Sequence, residues 1–178
     1  MRHSTNSDRE GRFGPEVTGR RDTPASTMSR STFFDGVVSM LRKQLPEPQR
    51  GFHTRRFGHL LKIFFDNERI HYEVWVDSRR HQIELGLHLE DGPASTLAYL
   101  EALDRNIIEI KHVLGPGAEL GRWTLSWGHL IETLPLTNLD LEIRSLVAQR
   151  TLLYIRTLQP LLDEVGMVLT PAGNLVKA

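Results

Sequence analysis

The sequence predicts an α+β domain, an antiparallel β-meander sheet packed by helices in the order α-β-β-β(-β)-α-β-β-α. Three observations predict it. Between Leu60 and Glu90, three runs share one alternation: Leu61, Ile63, Phe65, then Ile70, Tyr72, Val74, Val76, then Ile83, Leu85, Leu87, Leu89. That is the period-2 pattern of strands with one side against a core. Apolar residues recur at helical spacing before and after this block. Strands grouped between helices, instead of alternating with them singly, give a sheet with helices segregated to it rather than a doubly wound one.

Residues 1–28 are rich in Arg, Ser, Thr, Gly and Pro and hold few large apolar side chains. Such a segment cannot bury enough surface to offset its ordering entropy, so a disordered tail is expected there. A single folded domain is expected over 29–166 and a frayed end over 167–178. The first helix is expected from Thr32 to Leu45. Phe34, Val37, Val38, Leu41 and Leu45 form its stripe, Thr32-Phe-Phe-Asp35 resembles a capping box, and Pro46 and Pro48 stop it. A short strand at Phe52–Phe57 leads into the meander, whose hairpins turn at Asp66-Asn67-Glu68 and at Ser78 to His81. Ala94 to Leu114 reads as one helix with Leu97, Leu100, Leu103, Ile107, Ile110 and Leu114 inward, stopped by Gly115-Pro116-Gly117. Strands follow at Glu119–Leu125 and His129–Leu134. Asn138 is expected to cap a long final helix, which Pro160 kinks or restarts.

Composition bounds the function. The 178 residues suit one domain and a tail. Lysine plus arginine and aspartate plus glutamate both total 22, so a globally basic nucleic-acid binder is disfavoured. The absence of cysteine excludes disulfides, thiolate metal sites and thiol nucleophiles. No apolar run approaches the ~20 residues of a membrane span. A cytoplasmic location with no membrane partner is the expectation.

Matching the apolar faces puts Phe64 opposite His71, Lys62 opposite Glu73 and Leu60 opposite Trp75, then His71 opposite His88, Glu73 opposite Gly86 and Trp75 opposite Glu84. A one-residue slip would bury Lys62 and Glu73. The outer face therefore carries Leu60, Phe64 and Trp75, more apolar surface than solvation needs. Either a partner protein or a helix of the same chain covers it. Trp123 and Trp127, beside Arg122, are secondary anchors for a partner or, alternatively, plugs of the core. His71, Glu73, His88 and Glu90 admit a second reading, a metal-dependent enzyme holding Zn²⁺ or a non-haem metal. The plainer reading makes them residues of a solvated sheet face, with Lys62–Glu73 as a cross-strand pair. A third reading uses Arg55, Arg56, Arg79, Arg80 and the arginine-bearing tail on nucleic acid. Asp104, Glu109 and Lys111 superficially resemble a nuclease set, but residues i and i+2 of a helix point apart.

The helix Thr32–Leu45, the meander Leu60–Glu90, the helix ending at Gly115-Pro-Gly117, the strand pair Glu119–Leu134 and the helix Asn138–Gln159 follow one another in an order that resembles the type III secretion chaperone fold. YbjN-like bacterial proteins share that order. The resemblance covers about residues 30–165. It implies a small homodimer that binds an extended segment of another protein without catalysis, or a cytoplasmic adapter. The leading expectation is accordingly a non-catalytic protein-binding or adapter module. Its partner is another protein or a second copy, its surface is Leu60, Phe64, Trp75, Trp123 and Trp127, and it uses no cofactor or metal.

Overall fold

The computed structural model describes residues 27–169. The expected tail therefore falls outside the described residues apart from Thr27 and Met28, as do residues 170–178 of the expected frayed end. Met28 belongs to the folded body: its amide donates to the Leu139 carbonyl at 2.7 Å, and its side chain packs on the core.

The chain runs α1 (Arg30–Gln44), a 3₁₀ turn (Glu47–Gln49), β1 (His53–Phe57), β2 (Leu60–Phe64), β3 (Ile70–Asp77) and β4 (Gln82–Leu89). It continues with α2 (Pro93–Arg105), α3 (Ile107–Leu114), β5 (Glu119–Arg122), β6 (Gly128–Pro135) and α4 (Leu141–Leu169). This is an α+β fold. All strands join one antiparallel sheet in the order β1-β2-β3-β4-β6-β5. The meander supplies four neighbouring strands, and α2 with α3 carries the chain across so that β6 pairs with β4 and β5 takes the edge.

One core lies between the sheet's inner face and the helices. Leu61, Ile63, Tyr72, Val74, Ile83, Leu85 and Leu87 enter it from the strands, Phe34, Val37 and Leu41 from α1, and Tyr154, Ile155 and Leu158 from α4. Two polar ties cross it. The Tyr72 hydroxyl donates to Gln159 Oε1 at 3.2 Å, and Gln159 in turn donates to Asp163. Glu132, buried on the inner side of β6, accepts two bonds at 2.5 Å from Arg150 of α4, which also donates to the Leu114 carbonyl.

Helix boundaries differ from expectation where a polar side chain intercepts a backbone group. Ser29, ahead of Thr32, caps α1 by accepting from the Thr32 amide at 3.1 Å. Asp140, in place of Asn138, caps α4 by accepting from the amides of Glu142 and Ile143. The single helix expected over 94–114 is two. Asn106 donates its side-chain amide to the Ala102 carbonyl at 2.8 Å and leaves helical geometry, as short polar side chains do when they compete with the backbone. Within α2, Thr96, Tyr99 and Leu103 are buried while Leu97 faces out. Pro160 does not interrupt α4. It lies on the exposed side while Ile155, Leu158 and Leu162 hold the flanking turns in the core, enough to offset the ~3 kcal/mol a mid-helix proline costs.

Candidate functional site

The outer face of the sheet is organised in three cross-strand rows. One row reads His53, Phe64, His71, His88, His129, Gly121 from β1 to β5. The next reads Arg55, Lys62, Glu73, Gly86, Ile131, Glu119, and the third Phe57, Leu60, Trp75, Glu84, Thr133. Every pairing expected within the meander is the pairing observed. The third histidine was not foreseen, because nothing local in the sequence says that β6 docks beside β4. Once it does, the alternation of Leu130, Glu132 and Leu134 inward sends His129 outward at the level of His88.

This row is not a solvated face, which corrects the plainer expectation. His71 is 0% and His88 3% exposed, and His129 is also buried. Loops cover them. From one side the β2–β3 connection folds in: Glu68 accepts an ion pair from Arg55 at 2.8 Å and offers its carbonyl to His71 Nδ1 at 2.9 Å. From the other side Trp123 lies edge-on to His129 and His88, with ring centroids 4.4 and 5.4 Å away. His71 and His88 stack nearly parallel, 5.6 Å apart. Glycine at 121 leaves room for the His129 ring, since a Cβ there would sit 2.5 Å from Nε2.

Below the row, His71 Nε2 lies 3.3 Å from Glu73 Oε2, and His88 Nε2 lies 3.9 Å from Glu84 Oε1. Lys62, in register with Glu73, reaches instead to Glu90 at 3.4 Å, so Glu90 is spoken for and stands outside the histidine group. One ligating atom from each of His71, Glu73 and His88 lies within 4.8 Å of the other two. Burial pushes His88 down to about 4 against the pull of Glu73, so its imidazole is neutral at ordinary pH. Burial works to raise Glu73, but the His71 hydrogen bond, with the Lys62 charge nearby, outweighs it and holds the carboxyl below its usual value. Glu84 is raised, first by burial and then by the neighbouring Glu73 charge.

The expected binding trio is only half exposed. Phe64 tilts against His53, and Trp75 packs near His59 and forms a wall of an open cleft of about 490 Å³. Arg30, Asp77, Arg79 and Arg80 line the same cleft. Of the arginines considered for nucleic acid, Arg55 pairs with Glu68, Arg56 with Asp35 at 2.8 Å, and Arg80 faces Asp77 at 3.7 Å. The two outlying tryptophans are not core plugs: Trp123 is 50% and Trp127 47% exposed, with Leu125 between them at 73%. Glu109 and Lys111 lie exposed on α3 and Asp104 on α2, apart as expected.

No protein-family model matches the chain, and no curated protein or solved structure does either. No helix among the described residues is long and apolar enough to cross a membrane.

Proposed function

We propose that the chain is a non-catalytic, cytoplasmic protein-binding module that pairs with a second copy of itself through the turn between β5 and β6. One observation carries this reading: an exposed aromatic turn held rigid by its own hydrogen bonds. The Trp123 amide donates to the Trp127 carbonyl at 3.0 Å, and the Thr124 hydroxyl accepts from the amides of Ser126 and Trp127. Arg122 spends its guanidinium on the carbonyls of Thr124 and Leu125, each at 2.9 Å. Buried Thr96 ties the turn to α2 by donating to the Ser126 carbonyl.

Water-exposed apolar side chains fixed in one arrangement lose little entropy on binding, and tryptophans are over-represented among the residues that dominate interfaces. A second copy suits the patch because its one charge, Arg122, is turned onto carbonyls of its own turn and the chain's formal net charge is zero, so overall charge does not hold two copies apart. Leu60, Phe64 and Trp75 then act as a half-buried flank of the surface rather than its centre.

Sedimentation of the full chain over a concentration series tests the reading. The wild type should associate to a dimer, and Leu125→Asp and Trp127→Ala should each shift it to a folded monomer, its fold checked by circular dichroism and its melting temperature no longer dependent on concentration. A wild type that stays monomeric throughout, or a dimer indifferent to both changes, overturns it.

A further inference from the structure

We infer that His71, Glu73 and His88 form a binding site for one divalent transition-metal ion, Zn²⁺ by the chemistry of the donors, on the outer face of the sheet. The inference does not depend on the association proposed above.

A backbone carbonyl can only accept, so the 2.9 Å contact between His71 Nδ1 and the Glu68 carbonyl puts the hydrogen on Nδ1. In the neutral ring Nε2 then carries a bare lone pair, and that lone pair faces the Glu73 carboxylate at 3.3 Å. Two electron-rich atoms do not rest at that distance unless a positive charge lies between them. Either a proton shared by the two groups or a metal ion supplies it. The Nδ1–H bond to main chain is also the outer-shell tie that orients metal-bound histidines.

The neighbourhood favours the ion. His88 offers a second imidazole from the adjacent strand, which ligates once its ring tilts out of the stack on His71, and three atoms mutually within 4.8 Å have a common centre no more than about 2.8 Å (4.8 divided by √3) from each. Bonds of about 2.0–2.2 Å need the side-chain ends to close by less than about 1 Å. Two imidazoles and one carboxylate suit zinc and disfavour the oxygen-seeking calcium and magnesium. Three protein ligands leave a fourth position, and Glu73, the one ligand that is not fully buried, marks the side on which water reaches it.

The test is calorimetric titration of Zn²⁺ into the chelator-stripped full chain, paired with NMR of the histidine rings. One ion per chain should bind, shifting the His71 and His88 ring resonances and leaving those of His53, His59, His81 and His112 in place. His88→Ala and Glu73→Gln should each weaken binding by more than the about ten- to a hundredfold that loss of an outer-shell partner costs. Glu73→Gln keeps the side chain's size, so its folded state, checked by circular dichroism, separates loss of a ligand from loss of the fold. Absence of binding, shifts confined to the other histidines, or undiminished binding in folded Glu73→Gln overturns the site. In the first case a proton bridges His71 and Glu73.

Discussion

Arg150 and Glu132 join α4 to β6 across the inner face of the sheet, and a double-mutant cycle on them measures what a polar clamp in this core contributes. Glu132 is 8% exposed and Arg150 22%, so the pair is neither a surface bridge nor a fully dry one. Two unit charges about 4 Å apart attract by about 4 kcal/mol at an effective dielectric of about 20. Desolvation costs several kcal/mol per buried ion, which leaves the intact pair close to break-even against apolar residues of similar size. Removing one partner is different. Arg150→Met strands a carboxylate that is almost wholly buried and takes the donor from the Leu114 carbonyl as well.

Breaking such a pair costs about 3–5 kcal/mol, and the partial exposure of Arg150 sets the expectation near 3. Glu132→Leu should cost about 2 kcal/mol, because Arg150 can turn its head toward solvent. The double variant Arg150→Met/Glu132→Leu should lie within about 1 kcal/mol of wild type, so the coupling is about 4 kcal/mol or more. Urea unfolding followed by circular dichroism reads all four corners of the cycle, and an unchanged denaturant slope confirms that only stability moved. Additive single effects, each below about 1 kcal/mol, would refute the reasoning and make the pair equivalent to an exposed bridge.

The other expectations concern single groups. Among the described residues the Tyr154 hydroxyl is buried without a hydrogen-bond partner, whereas Tyr72 donates to Gln159. Tyr154→Phe should therefore hold or raise stability while Tyr72→Phe lowers it by about 1 kcal/mol, and thermal melts showing the reverse order would contradict this. Gly86 has φ of +153°, and a Cβ there would lie 2.3 Å from the Leu130 carbonyl oxygen. Gly86→Ala should cost about 3 kcal/mol, measured by denaturant titration, and a cost near zero would show that the strands part easily. Tyr72, Tyr99 and Tyr154, the chain's three tyrosines, are all raised above the ordinary value near 10, in each case by burial first. The unfolded chain gives up these protons before the fold does, so the stability they contribute is whole below pH 10 and lost as pH rises beyond it. Tyrosinate absorbance should accordingly appear only above pH 10 and together with unfolding, and a midpoint at 10 in a folded chain would count against it.

The meander was legible because register and burial constrain each other. Slipping Ile70–Asp77 by one residue would turn His71, Glu73 and Trp75 into the core and Tyr72 and Val74 out of it, so the alternation alone determines which residues share a face. Helix ends were less legible. Ser29, Asn106 and Asp140 each act through one or two local hydrogen bonds whose competitor a few residues away looks as good in sequence. The histidine row was half legible: His71 and His88 follow from the hairpin, while His129 depends on a pairing across the α2–α3 crossing, a long-range choice that leaves no local pattern. What covers the row was not legible at all. It is covered by two loops and not by a helix, and loop conformations here come from contacts such as Arg55 with Glu68 and Trp123 with His129.

Those two loops also explain how one face combines buried imidazoles with an exposed aromatic edge. A flat outer face would leave three histidines in water, where nothing holds their rings in a common orientation. The β2–β3 connection tethers the first ring by its Nδ1, cross-strand stacking aligns the second, and Trp123 closes over the second and third while half of its own ring stays in water. Trp123 therefore belongs to the wall of the histidine group and to the rim of the exposed turn at once. Trp127 and Leu125 belong to the turn alone among the described contacts, and Glu73 to the histidine group alone. That division is why association is tested at residues 125 and 127 and metal binding at residue 73. A Trp123 substitution would disturb the cover of His88 and the apolar turn together, and a loss of either activity would then have two explanations.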